Sequence, residues 1–178
     1  MRLFLAIDLP KEIKKSLNKQ LTNIRLNYPQ FSWVGEDNYH ITLYFFGETD
    51  RVEAIVKKLK DILYDQESFY LYSLGTDLIM RSKIVIYLNF QRERKVEQLE
   101  KKLRENFYQE HQSRYKFIPH LTLARCRIPA KQQYFVLKKK LAKTNIDIEF
   151  PVRKIILFQS ILNRHKPQYK KIEEFPLI

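Results

Sequence analysis

The four residues His40-Ile41-Thr42-Leu43 return, with one letter changed, as His120-Leu121-Thr122-Leu123. Each copy lies in a short apolar run that reads as a β-strand, and the two histidines stand 80 residues apart. The elements around them recur in the same order at about that offset. Side chains two apart on a strand share a face, so each copy presents a histidine beside a threonine hydroxyl. The chain must therefore fold so that one architecture occurs twice and two equivalent strands face one cleft.

In the first half, residues 2–8 read as a strand that is apolar on both faces. Pro10 then opens a helix with Ile13, Leu17, Leu21 and Ile24 at helical spacing. A short strand over 31–34 precedes the motif strand at 40–46. Asp50 and Glu53 resemble a capping box for a second helix with the stripe Val52, Ile55, Val56, Leu59 and Leu63. Residues 69–74 read as the next strand. The second half repeats the order, with a strand at 84–90 and a helix carrying Val96, Leu99, Leu103 and Phe107. The second motif strand at 120–124 follows, then a helix marked by Tyr134, Leu137 and Leu141, and a strand near 146–152. The tail adds a strand at 154–161, a polar loop at 163–167 and a returning arm at 169–173. The expected fold class is α+β, with residues 1–178 forming one domain of two pseudo-symmetric lobes and one motif in each. Two antiparallel sheets would face a central cleft with helices outside. A chain of 178 residues has room for a substantial core in such a domain.

Strand alternation puts His40, Thr42 and Tyr44 on one face of the first motif strand and Ile41, Leu43 and Phe45 on the other. In the second motif it puts His120, Thr122 and the small Ala124 opposite Leu121 and Leu123. Histidine, with an ordinary pKa of about 6.5, gives or takes a proton near neutrality, and a positioned acid or base contributes ~10²–10⁴-fold to rate. Two histidines on opposite sides of a phosphorus centre can serve an in-line displacement, one activating the attacking oxygen and one protonating the departing one. The threonine hydroxyls can hold the non-bridging oxygens, and no metal or other cofactor is required. The pattern suits transesterification or hydrolysis of a phosphodiester. A single His-x-Thr on a strand is commonplace and usually structural, whereas two in matched contexts are not. A shared metal site is disfavoured, because no Asp, Glu or Cys stands at ligand spacing beside either histidine. His111 reads as an exposed residue at a helix end.

Thirty-three Lys+Arg against 20 Asp+Glu give a net charge of +13, which favours a polyanionic partner such as nucleic acid, although a generally basic surface would look the same. The run Lys138-Lys139-Lys140 reads as a solvated helix face. The single cysteine, Cys126, can form neither an intramolecular disulfide nor a cysteine-rich zinc site; it fits a reducing compartment and reads as structural. The apolar stretch at 1–10 is too short for a signal peptide and is interrupted by Asp8. No run approaches the roughly 20 apolar residues that span a bilayer. The expectation is a cytoplasmic protein, away from membranes and acting as a monomer.

With its two His-x-Thr motifs the chain resembles the two-histidine phosphoesterase superfamily. Within it, the chain is similar to the RNA 2′,3′-cyclic phosphodiesterases, also called 2′-5′ RNA ligase-like proteins. The opening MRLFLAIDLP, the stretch WVGEDNYHITLYFFGE, the second motif PHLTLAR and the tail ILFQSIL…PQYKKIEEFPL carry the likeness, which covers nearly the whole chain. The resemblance implies hydrolysis of a terminal 2′,3′-cyclic phosphate on RNA to a 2′-phosphomonoester, without a metal. It makes His40 the acid for the leaving 3′-oxygen, His120 the base for water, and Thr42 and Thr122 phosphate ligands. It also marks Arg125 as a phosphate contact, although strict alternation puts Arg125 on the face away from His120 unless a bulge brings it round. Phe45 matches an aromatic position of the family and reads as core, while Tyr44 is the candidate for stacking on a base or ribose. Residues 74–83 lack the family's Gly/Pro-rich loop, and Asn163-Arg164-His165-Lys166 replaces a Gly-Pro-type sequence; both segments are expected to border the cleft. The alternatives are a ligase or phosphodiesterase acting on 2′-5′ linkages, as in tRNA fragments, and an RNA-end-binding module without catalysis.

Overall fold

The computed structural model describes residues 1–80, 83–107, 117–127, 131–163 and 167–178. The first half supplies β1 (Arg2–Asp8), α1 (Lys11–Gln20), α2 (Thr22–Asn27), β2 (Ser32–Trp33), a 3-10 turn at Glu36–Asn38, β3 (His40–Glu48), α3 (Val52–Leu63) and β4 (Phe69–Met80). The second supplies β5 (Ile84–Phe90), α4 (Arg94–Asn106), β6 (His120–Cys126), α5 (Lys131–Ala142) and β7 (Glu149–Val152). The hairpin of β8 (Lys154–Leu162) and β9 (Pro167–Pro176) closes the chain.

The strands lie in the order β7-β4-β5-β6-β3-β1-β8-β9, with β2 added on β6. All the pairings are antiparallel. The two expected sheets are thus β3-β1-β8-β9 and β6-β5-β4-β7, and they join edge to edge where the motif strands meet at Ile41 and Leu121. Beyond that pair β2 takes β3's place on β6, with Ser32 opposite Arg125 and Trp33 opposite Ala124. The lobes do not coincide with the halves of the sequence. Strand β4, from the first half, pairs with β5, while β8 and β9 from the C-terminus complete the first lobe.

One face of the joined sheet is covered by helices. The periodic stripes explain this: Ile55, Leu59 and Leu63 of α3 and Val96, Leu99 and Leu103 of α4 enter one core with Ile41, Leu43, Leu121 and Leu123. On the opposite face a smaller cluster of Phe4, Ala6, Ile156 and Phe158 forms, with Tyr169 packed against it. Helix α5 lies along β4, where the Thr76 hydroxyl donates to the Leu141 carbonyl at 3.0 Å.

Two local expectations are corrected. The Asp50/Glu53 capping box does not form: Arg51 is the N-cap of α3 and accepts no side-chain bond, and the Thr49 hydroxyl instead accepts from the Arg51 N–H at 3.1 Å. Residues 74–80 are not a loop but the continuation of β4, paired with β5 as far as Met80 opposite Ile84. His111 and residues 164–166 lie outside the described residues. Among the described residues no helix is long and apolar enough to cross a membrane.

Ile41 and Leu121 are fully buried at the seam. Ile41→Ala and Leu121→Ala are each expected to cost about 2–5 kcal/mol in urea unfolding. Both variants should keep one cooperative transition, and two separate transitions would show lobes that unfold independently.

Candidate active site

Each motif strand carries an extra residue directly after its His-x-Thr pair, and β3 carries a second one further on, at Phe46. Along β1, Ala6 faces Thr42 but Leu5 faces Tyr44, so Leu43 has no counterpart. Along β5, Tyr87 faces Thr122 but Ile86 faces Ala124, so Leu123 is the extra residue there. These are equivalent β-bulges, and each reverses the inside–outside phase of the residues beyond it. Tyr44, expected beside His40, is turned into the core and donates its hydroxyl to the Phe107 carbonyl. Phe45, expected in the core, emerges 66% exposed on the His40 face, its ring 6.0 Å from that of Phe4. Ala124, expected to leave room in the cleft, is likewise buried. By the same reversal Arg125 is exposed on the face of His120, where alternation alone would not have put it.

The bulges leave the motif residues themselves in step. Either side of the Ile41–Leu121 pair, the antiparallel register sets His40 toward Thr122 and Thr42 toward His120. All four are half-buried. The two imidazoles are held in one way. His40 Nδ1 lies 2.7 Å from the Asn38 carbonyl oxygen and His120 Nδ1 2.8 Å from that of Ile118, two residues upstream in each case. A carbonyl only accepts, so each Nδ1 carries the hydrogen, and proton transfer falls to Nε2.

Their surroundings differ. His40 sits among aromatic rings, 5.0 Å from Phe4 and edge-on to Tyr169 at 5.1 Å. Burial pushes its pKa from the ordinary 6.5 down to about 4, against the opposing Nδ1 bond and Asp8 charge, with Lys14 and Arg125 lowering it further. Asp8 lies across from His40 on β1 and is held by Lys14 at 2.6 Å and Lys171 at 3.2 Å. The matching neighbour of His120 is the neutral Asn89, whose Oδ1 accepts from the Phe90 N–H at 3.0 Å. His120 meets the ring of Tyr87 edge-on at 5.5 Å. Arg125 belongs to the second lobe, yet its charge acts on His40 and on Tyr169, whose phenol burial pushes up and Arg125 pulls down. Its charge is therefore felt across the seam.

Phe4, Phe158, Tyr169 and Tyr87 were not among the residues singled out in the sequence. A signal did exist: residues 2–8 are apolar on both faces, so β1 had to bury a second face somewhere. Cys126 is buried and its thiol is pushed up by burial, as befits a structural residue. The lysines at 138–140 are exposed. Among the described residues no three His, Cys, Asp or Glu side chains come together to hold a metal ion.

The family model of the 2′-5′ RNA ligase superfamily matches residues 10–163. The chain is 29% identical to an RNA 2′,3′-cyclic phosphodiesterase of Thermotoga maritima, over 98% of its own length and 94% of the relative's. It is 30% identical to one of Methanocaldococcus jannaschii, over 98% and 100%. Among solved structures, E. coli LigT complexed with 3′-AMP superposes with a TM-score of 0.78 at 27% identity, covering 99% of this chain and 97% of that one. Paired motifs, duplicated lobes and these likenesses agree: the chain belongs to the 2′-5′ RNA ligase superfamily.

Proposed function

We propose that the protein hydrolyses 2′,3′-cyclic phosphate ends of RNA to 2′-phosphomonoesters, with His40 and His120 transferring the protons. The observation that carries this reading is the pair of imidazoles anchored identically through Nδ1 beside two threonines on one face of the sheet. Binding alone needs no matched acid and base. The names of the curated relatives support the substrate class, and the net charge of +13 suits a polyanion.

In this reading Thr42, Thr122 and Arg125 hold the non-bridging phosphate oxygens, and the side chains themselves meet the developing charge, without a metal. His120 takes a proton from water as the new P–O bond forms, and His40 protonates the 3′-oxygen as its bond to phosphorus breaks. His40 is neutral at pH 7 in the ligand-free protein, so it must gain that proton with the substrate. An anionic phosphate in contact with an imidazole favours its charged form. Phe45, not Tyr44, offers a ring to the base of the cyclic nucleotide.

His40→Ala and His120→Ala are each expected to lower turnover of adenosine 2′,3′-cyclic phosphate by ~10²–10⁴-fold while circular dichroism stays unchanged. The wild-type product is the 2′-phosphate, and EDTA leaves the rate intact. Full activity in either variant would remove the paired-histidine reading. Turnover of 2′-5′ dinucleotides in preference to cyclic nucleotides would move the protein to the ligase-type reaction.

In an NMR titration the His40 ring should take up its proton only as pH falls through about 4, and at higher pH with adenosine 2′-phosphate bound. A titration unmoved by the ligand would exchange the roles of the two histidines. Phe45→Ala should raise KM for the cyclic nucleotide by about fivefold or more, the worth of one stacked base. Tyr44→Phe should leave kcat and KM alone and cost about 1 kcal/mol of stability in urea unfolding.

A further inference from the structure

We infer that the second lobe carries a stacking platform, Tyr70 and Tyr72, for upstream bases of a single-stranded RNA whose cyclic end occupies the motif cleft. The inference rests on the cleft's being an RNA-end site.

The face on which these rings lie follows from register. His120 lies directly across from Asn89, and Asn89 across from Gly75. Between Ser73 and Gly75 the strand bulges, with Gly75 at φ +114, a conformation that side-chain-bearing residues rarely adopt. Ser73 pairs with the buried Phe90 on the core face. Tyr72 and Tyr70 therefore return to the face of His120, while the alternating Leu71 and Phe69 enter the core beside their partners Phe150 and Val152. Gln91 links the two regions, its backbone N–H donating to the Tyr72 carbonyl at 2.8 Å.

Tyr70 and Tyr72 are 51% and 42% exposed, and their rings stack with centroids 6.1 Å apart and planes 23° from parallel. Neither ring is part of either apolar cluster. Crossing from β6 to β4 spans two strand spacings, about 10 Å, and the stagger along the strand puts Tyr72 ~12 Å from His120. That separation matches a few nucleotides of single strand. Aromatic rings on an open sheet face stack bases of any sequence, each worth about fivefold to a hundredfold in affinity. The platform continues the candidate cleft on one sheet surface of a chain with net charge +13, which favours a nucleic-acid strand over a protein as its occupant.

The test compares two substrates in the intact protein: adenosine 2′,3′-cyclic phosphate and an octaribonucleotide ending in a 2′,3′-cyclic phosphate. The double variant Tyr70→Ala/Tyr72→Ala should leave kcat and KM on the mononucleotide unchanged. On the octanucleotide its KM should rise tenfold or more at constant kcat, and the Tyr70→Phe/Tyr72→Phe pair should restore the wild-type value. Equal octanucleotide KM in wild type and the alanine variant overturns the platform, as it would if the rings served a protein partner. If the wild type turns over neither substrate, it is the proposed reaction that has failed. The platform is then read by fluorescence anisotropy of a labelled octanucleotide carrying a 3′-phosphate: tenfold weaker binding in the alanine variant supports it, and equal binding overturns it.

Discussion

The surplus residue that follows each His-x-Thr pair decides which side chains share the face of the histidines. A strand alternates its side chains strictly, so a pair that sends histidine and threonine outward must send the fifth residue after the histidine inward. The bulges at Leu43 and Leu123 cancel that rule at the same step in both lobes. They leave the His-x-Thr pairs untouched and bring Phe45 out on one side and Arg125 on the other. The apolar core gains two consecutive inward residues at each bulge, Leu43 with Tyr44 and Leu123 with Ala124, so the irregularity is anchored by burial. An aromatic ring and a guanidinium thus stand at equivalent places around one seam.

The duplication supplies two matched imidazoles, and departures from it make their surroundings unlike. Both imidazoles hang from a carbonyl two residues upstream. Around His40, however, Phe4 and Tyr169 remove water, and an aspartate clamped by two lysines takes the neighbouring place. Around His120 the corresponding neighbour is an amide that satisfies its own backbone. Burial lowers the proton affinity of His40, and unlike surroundings for two groups of one type suit the division of roles proposed above. A symmetric site would bind a phosphate equally well in either orientation.

The order of elements was legible because it was written twice: amphipathic stripes and apolar runs recurred at one offset, and each copy supported the other. His40, Thr42, His120 and Thr122 were legible for the same reason. Tyr44 and Phe45 were read the wrong way round, because a bulge adds a residue without changing composition or period. Alternation alone places Arg125 away from His120, and only the bulged backbone brings it to the same face. The ring cluster around His40 escaped notice since Phe4, Phe158 and Tyr169 come from strands far apart in the chain, and only the order β3-β1-β8-β9 brings them together. The crossing of β4 into the second lobe was hidden too, because local pattern says that a strand exists without saying which strand it joins.

That crossing also governs how the molecule comes into being. Synthesis runs from the N-terminus, so β1 and β3 emerge before β8, and the other edge of β1 stays uncovered until β8 follows β4, β5, β6 and β7. The lobe that carries β4, β5 and β6 can pair its strands sooner, needing nothing after β7. The lobe begun first is therefore completed after the other, and the pocket around His40 closes only when β8 and β9 arrive. A nascent chain stalled before β8 would expose an unpaired apolar strand edge, the kind of surface that invites aggregation.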